Sequence, residues 1–276
     1  MLDFNNDLSI TLIRMNQTAQ ASAAPSVSAA PSAAGDPSVP GDPSAEGSAP
    51  APSDGYAPGP TARTAFSTAA KTAAGAKTAA GSGAADPLRL ALIVGSNREG
   101  RFAPVVAGWF LDRAGARDDF SVDVVDLADV ELPTVLSGRP GAAVHAELAK
   151  VSPRLGDADA FVVLTPEYNH SFPAALKNLI DWHFTEWQAK PVGFLSYGGV
   201  SGGLRAVEQL RQVFAEMHAV TVRDTVSFAN AWRQFDDEGR HRDPAAPEAA
   251  VTSMLDQLAW WGAALREAKS HRQYGG

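Results

Sequence analysis

The chain has 276 residues, 45% of them hydrophobic and 20% charged, enough apolar material for one packed domain or two. It contains no cysteine and carries a net charge of −8, which excludes disulfides, thiolate nucleophiles and cysteine-held metals and argues against a nucleic-acid or anionic-membrane surface. No apolar run nears the ~20 residues of a membrane helix, and the absence of cysteine fits a reducing cytoplasm, where the protein is expected.

Taken from its start, "MLDFNNDLSITLIRMNQ" makes a poor secretory leader, because Asp3 and Asp7 stand where basic residues belong and "ITLI" is too short. From Ala19 to Asp86 the residues are almost all Ala, Ser, Pro, Gly and Thr. Such a stretch lacks the large apolar side chains that offset an ordering cost of ~1–2 kcal/mol per residue. Residues 1–86 are therefore expected to be a disordered extension, and a folded domain is expected over 87–270.

Within that domain "LRLALIV" (Leu88–Val94) predicts a strand and "FAPVVAGWFLDRAG" a helix. "FSVDVVDL" (Phe120–Leu127) predicts a second strand. "AAVHAELAKVSPRLGDA" follows as a helix to Gly156, kinked or broken at Pro153. "AFVVLT" (Ala160–Thr165) predicts the third strand, which Pro166 should end, and "AALKNLIDW" the next helix. "PVGFLSYG" (Pro191–Gly198) predicts the fourth strand, and "GLRAVEQLRQVFAEMH" an amphipathic helix. A fifth strand falls within "AVTVRDTVSFA", "DDEGRHRDP" reads as a solvated loop, and a long helix closes the chain. Near-continuous Val/Ile/Leu strands alternating with helices indicate a parallel sheet covered on both faces. Five such units suit one three-layer α/β domain and are too few for a (β/α)₈ barrel. In such sheets ligands bind beyond the carboxyl ends of the strands, where the strand order reverses.

Three loops at those ends carry unusual residues. In "GSNREGRF" (Gly95–Phe102), Ser96, Asn97 and Gly100 leave backbone N–H groups free beside a helix start, and Arg98 and Arg101 add permanent charge, a combination suited to a phosphate. The loop matches neither "GxGxxG" nor "GxxxxGK[ST]", which disfavours a dinucleotide turn or a P-loop. "PEYNHSFP" joins rigid backbone at Pro166 to the flat face of Tyr168, with Asn169 suited to a turn. "SYGGVSGG" (Ser196–Gly203) has four glycines in eight residues, which let backbone approach a ligand closely. Each loop taken singly also reads as an ordinary strand-to-helix turn. Together they describe a phosphate at one strand end and a planar heteroaromatic ring between two others, a description that FMN fits. Nucleotides fit less well, since no acidic residue is obviously placed for ribose hydroxyls.

"GSNREGRF", "TPEYNHSFPAALKNLIDW" and "PVGFLSYGGVSGGLRAVEQLR", in this order, resemble the NADPH-dependent FMN reductase family of flavodoxin-like proteins, over Leu88 to Trp261. The resemblance implies a five-stranded parallel sheet in the order 2-1-3-4-5. It implies that Ser96, Arg98, Arg101 and Phe102 surround the FMN phosphate, that Pro166, Glu167, Tyr168 and Asn169 line the isoalloxazine ring, and that Ser196, Tyr197, Gly198 and Gly199 close the other side. Members often carry Ser and Asn near the positions of Arg101 and Ala103; this chain has neither, and Arg101 puts a charge where the hydroxyl would stand. The implied activity is hydride transfer from NADPH or NADH through flavin N5 to a quinone, azo, metal-ion or flavin acceptor, with no protein acid or base required. A flavin-binding electron carrier or redox sensor is the alternative. The resemblance also implies a homodimer or homotetramer, to which exposed members of the set Trp182, Phe184, Trp187, Trp260 and Trp261 would contribute. His170 reads as part of its turn, and His183 and His218 have no partner at metal-ligand spacing.

Overall fold

The structure, a computed structural model, describes residues 86–275, so the extension expected over 1–86 lies outside the described residues except for Asp86. Five strands, β1 (Leu88–Val94), β2 (Phe120–Asp126), β3 (Ala160–Pro166), β4 (Pro191–Gly198) and β5 (Val220–Ala229), pair in parallel in the order β2-β1-β3-β4-β5. The helices are α1 (Ala103–Ala114), α2 (Ala142–Asp157), α3 (Ala174–Asp181), α4 (Leu204–Glu216), the single turn α5 (Ala231–Gln234) and the long α6 (Ala245–His271).

Side chains alternate along a strand, and here both faces are dry. Leu90, Leu92 and Val94 of β1 pack with Trp109 and Phe110 of α1 and Met254 and Leu258 of α6. Ala91 and Ile93 turn the other way, toward Leu155 of α2, Leu176 of α3 and Phe214 of α4. That is why β1, apart from the exposed Arg89, and β3 and β4 read as near-continuous apolar runs, while β2 and β5, at the sheet's edges, mix buried with exposed positions. On α4 the buried residues Ala206, Val207, Leu210 and Phe214 recur at helical spacing and form one stripe.

The edge strand β5 carries an irregularity: Val192 and Phe194 of β4 pair with Thr221 and Thr225, so the intervening β5 residues bulge. Arg211 of α4 reaches over this bulge and donates to the carbonyls of Val222 (2.8 Å) and Arg223 (2.9 Å) and to Thr225 Oγ1 (3.0 Å). A bulged edge whose carbonyls are occupied is a poor template for another strand.

Three boundaries differ from the sequence reading. β2 stops at Asp126, because its carboxylate accepts the Ala128 N–H (3.0 Å) and starts a 3₁₀ turn over Leu127–Asp129. β3 runs past Thr165: Pro166 pairs with Tyr197, and the Glu167 N–H donates to the Tyr197 carbonyl at 3.2 Å. N–H groups alternate sides along a strand, so the one Pro166 lacks falls on the β1 side, where the β1 ladder has already ended at Val94. In α2, Pro153 does not break the helix, which continues to Asp157 with the proline on its exposed face.

β1 sends its chain to β2 on one side and the chain then crosses to β3 on the other. The loops after β1 and β3 therefore part company at the carboxyl edge, and the crevice between them is the switch point of the sheet.

Candidate functional site at the carboxyl edge

The loop after β1 is anchored by the Gly95 N–H, which donates to the Leu164 carbonyl of β3 at 2.8 Å. Beyond it the backbone turns away from the sheet. None of the N–H groups from Asn97 to Phe102 has a hydrogen-bond partner among the described residues. Pro104, which has no N–H, occupies the first turn of α1, so the helix begins where its amides point at this loop. Free amides in succession at a helix start form an anion-binding concavity.

Charge is arranged around it with care. Arg98 is exposed and has no ion-pair partner among the described residues. Arg101 is different: its guanidinium grips Asp126 at the end of β2 with two bonds of 2.6 Å, and it also donates to the Ser96 carbonyl. Both side chains of that pair are 14% exposed. Of the five guanidinium N–H groups, three are used in these bonds and two are left. Arg101 thus ties the end of the loop to its beginning and to β2, and it keeps donors in reserve.

Ser96 is fully buried, and its Oγ lies 2.8 Å from the Tyr168 hydroxyl. This bond spans the switch-point crevice, joining the loop after β1 to the loop after β3. Tyr197, also buried, sits in the same cluster: burial and the neighbouring Tyr168 push its phenol well above the usual tyrosine range, while Ser96, Arg101 and Arg98 pull the other way. Phe102 covers the outside, with its ring centroid 6.1 Å from Tyr197 and 5.8 Å from Phe235.

The loop after β3 is a miniature hairpin. Tyr168 and Ser171 exchange two backbone bonds (2.8 and 3.0 Å), and Asn169 and His170 between them both have positive φ, 50° and 68°. Two left-handed residues in a two-residue connection are the signature of a type I′ turn, for which Asn is well suited. Their own N–H groups have no hydrogen-bond partner among the described residues. Glu167 stands just before the turn with its carboxylate only 7% exposed. It accepts from Ser201 Oγ (2.7 Å) and from the Arg205 guanidinium (2.8 Å) and N–H (3.2 Å). Burial alone would raise its pKa, but these bonds outweigh burial and hold it below the usual carboxylate value. Gln209, one turn along α4 from Arg205, donates to the His170 carbonyl (2.9 Å) and accepts from Ser171 Oγ (2.6 Å).

The loop after β4 is pinned from beneath. Ser196 is fully buried, and its Oγ and that of Ser227 both donate to the Gly202 carbonyl at 2.9 Å. Gly203 has φ +89°, and a Cβ there would lie 2.8 Å from the Ser196 Cβ. Only glycine fits so close to β4 in that conformation. Gly199, Val200 and Ser201 in the outer part of the loop keep free N–H groups among the described residues.

All twelve residues singled out in the sequence therefore lie on these three loops or at the strand ends that carry them. The structure commits some of their side chains internally: Arg101 to Asp126, Glu167 to Ser201 and Arg205, Ser196 to Gly202. Asp126, Ser201, Arg205, Gln209 and Ser227 were not anticipated. A buried-facing carboxylate in "PEYN" does signal the need for a donor, but nothing local says which helix supplies it. His183 is buried, and Nε2 and Nδ1 each have a partner, Ser152 Oγ (2.9 Å) and the Leu179 carbonyl (2.8 Å). Among the described residues no three His, Asp or Glu groups gather as a metal site, and no described helix is long and apolar enough to cross a membrane. Concavities of about 840 and 580 Å³ lie on the helical flanks, lined by residues such as Arg211 and Ser253 in one and Arg113 and Thr252 in the other. What marks the carboxyl edge is its chemistry.

The free amides, the unspent arginine donors and the buried hydroxyls fit a phosphate monoester, and the two glycine- and turn-rich loops beside them fit a flat ring with polar edges. Residues 88–233, more than half of the chain, match the family described as NADPH-dependent FMN reductase. The chain is 35% identical over 132 residues to an NAD(P)H-dependent FMN reductase of Schizosaccharomyces pombe, covering 45% of this chain and 64% of that protein. For a Nectria NAD(P)H-dependent FMN reductase the share of the relative is 66%, so this chain spans just under two-thirds of both fungal proteins. A probable NADPH:quinone oxidoreductase of Oryza sativa is 34% identical over 195 residues, covering 64% of this chain and 94% of its own. Among solved structures, a flavoenzyme NAD(P)H:(acceptor) oxidoreductase of Paracoccus denitrificans superposes with a TM-score of 0.51 at 22% identity, over 64% of this chain and 97% of that one, a likeness of fold. By the match over β1 to α5, and by relatives more than 30% identical along most of their length, the chain belongs to the NADPH-dependent FMN reductase family.

Proposed function

We propose that this protein is a flavin-dependent oxidoreductase that holds FMN at the carboxyl edge of its sheet and uses NADPH or NADH to reduce a small acceptor of the quinone, azo, metal-ion or flavin kind. The observation that carries the proposal is the run of unpartnered amides from Asn97 to Phe102 at the switch point, flanked by Arg98 and Arg101. A phosphate dianion there would meet several charge-assisted bonds, each contributing about 1.5–3 kcal/mol. The names of the fungal relatives point to the same flavin and co-substrate, and the rice protein's name points to NADPH and a quinone acceptor.

In this reading Ser96, Arg98, Arg101 and Phe102 enclose the phosphate, with Arg101 using the donors that Asp126 leaves free. Pro166, Glu167, Tyr168 and Asn169 border the ring on one side and Ser196, Tyr197, Gly198 and Gly199 on the other. Glu167 and Ser196 act through backbone, since their side chains are already occupied. The chemistry that FMN supplies when bound is electron transfer from the pyridine nucleotide to the acceptor. The chain's own task is to fix the ring's edge with the free amides of Asn169, His170 and Gly199 and to leave one face open to both substrates. No side chain is needed as acid or base. The exposed, mutually packed Trp260 and Trp261 (centroids 4.9 Å apart) favour a homodimer or homotetramer, and a cysteine-free chain suits the cytoplasm.

Purified protein should show flavin absorption bands, release FMN on denaturation, exceed the monomer mass in light scattering, and oxidise NADPH or NADH when given a quinone, dye or flavin. FMN-saturated protein that consumes neither nucleotide with any of these acceptors would refute the enzymatic reading.

A further inference from the structure

Ser96 has one proton to give, and where that proton points decides what the buried hydroxyl can do for an anion. Its side-chain partners among the described residues are two phenols, the Tyr168 hydroxyl, 2.8 Å away, and the Tyr197 hydroxyl. Each of the three oxygens can donate once and accept twice, so in each pair either atom could be the donor. A phenol is a much stronger acid than an aliphatic alcohol, and the better acid is the better donor. Tyr168 and Tyr197 therefore both donate to Ser96, whose oxygen accepts twice, and the Ser96 proton is left for another acceptor. Ser96 stands at the head of the loop with the free amides, and its carbonyl is held by Arg101.

From this geometry we infer that Tyr168 serves the phosphate end of the site rather than the ring: its hydroxyl sets the direction of the Ser96 hydroxyl, so that Ser96 donates to the phosphate. Tyr168 is in this sense a positioning residue, acting through Ser96. Its backbone belongs to the turn that borders the ring, but its ring crosses the crevice and its polar tip works at the opposite end. The Ser96–Tyr168 bond thus couples the two loops that part at the switch point. The inference rests on the flavin reading above and deepens it, since FMN and riboflavin differ only in the phosphate.

The test is the affinity of the full chain, freed of flavin, for FMN and for riboflavin, read by quenching of flavin fluorescence. Wild type should prefer FMN. Tyr168→Phe keeps the aromatic ring and loses the hydroxyl; its affinity for FMN should fall about five- to tenfold while that for riboflavin stays within about twofold. Ser96→Ala should lose at least as much FMN affinity, and the double variant should be no worse than Ser96→Ala alone, because the phenol acts only through the serine. An equal loss for both flavins in Tyr168→Phe would place Tyr168 on the ring and overturn the inference, as would an unchanged preference or additive losses in the double variant. A melting curve checks that Tyr168→Phe is folded; if it is not, Tyr168→Leu, which also lacks the hydroxyl, takes its place, with a loss confined to FMN in support and an equal loss for both flavins against. Wild type that binds neither flavin would overturn the flavin reading and the relay with it. Wild type that prefers FMN, beside a Tyr168→Phe variant of unchanged preference, would remove the relay alone.

Discussion

Lys190 lies far from the carboxyl edge and shows what burial does to one charge. Its Nζ donates to the carbonyls of Leu155 and Gly156, each at 2.8 Å, and so closes the last turn of α2; the Phe161 ring lies 5.4 Å away. Burial lowers its pKa from 10.5 to about 8, Lys269 pushes the same way, and Glu186, Asp159 and Asp157 pull against both. The ammonium has three N–H groups for two carbonyls, whereas the neutral amine has two, so deprotonation leaves no donor stranded. Between about pH 8 and pH 10.5 the unfolded chain binds more protons at this residue than the folded one. Stability must then rise with pH through that window, and this contribution is lost as pH falls through about 8. Urea unfolding of wild type and Lys190→Met should show a difference that moves in favour of wild type across the window, by at most on the order of 3 kcal/mol. A difference flat in pH would mean that the lysine is not held in this way.

The loop between β4 and α4 is where backbone geometry sets the cost of change. Gly203 precedes α4 with φ +89°, and its Cα is pressed against β4; Gly199, four residues earlier, has nothing within 4 Å of where a Cβ would stand. Gly203→Ala should therefore cost about 2–4 kcal/mol, from the left-handed φ together with the collision at Ser196. Gly199→Ala should cost less than about 0.5 kcal/mol. Denaturant titration of the two variants separates strain from mere loss of loop flexibility, and equal effects would refute the close packing. α4 matters beyond its own packing. Arg205 holds Glu167 and Gln209 holds the His170–Ser171 backbone, so the turn after β3 takes its position from a helix that begins beyond β4.

Across the described residues the two helical layers and the sheet account for the core. The chain enters the domain under Arg266 of α6, whose guanidinium donates to the carbonyls of Asp86 (2.9 Å) and Pro87 (3.3 Å). A chain cut just before Asp86 keeps both acceptors. It should unfold within about 2 °C of the full-length protein in a thermal scan and retain its flavin affinity. Loss of soluble, folded material on that deletion would show that the extension contributes to the fold.

The strands and helices were legible because periodicity is a local property: apolar runs for strands dry on both faces, a stripe at helical spacing for α4. Polar residues that no buried strand needs, in "GSNREGRF", "PEYNHSFP" and "SYGGVSGG", were legible for the same reason and marked the edge proposed to carry the site. Which of their groups remain available was not, because that depends on partners brought close only by folding. Arg101 meets Asp126 across 25 residues, Glu167 meets Arg205 across 38, and Ser96 meets Tyr168 across 72. The order of residues places donors and acceptors on loops; a hydrogen bond needs them within about 3 Å, and chain packing alone sets that distance.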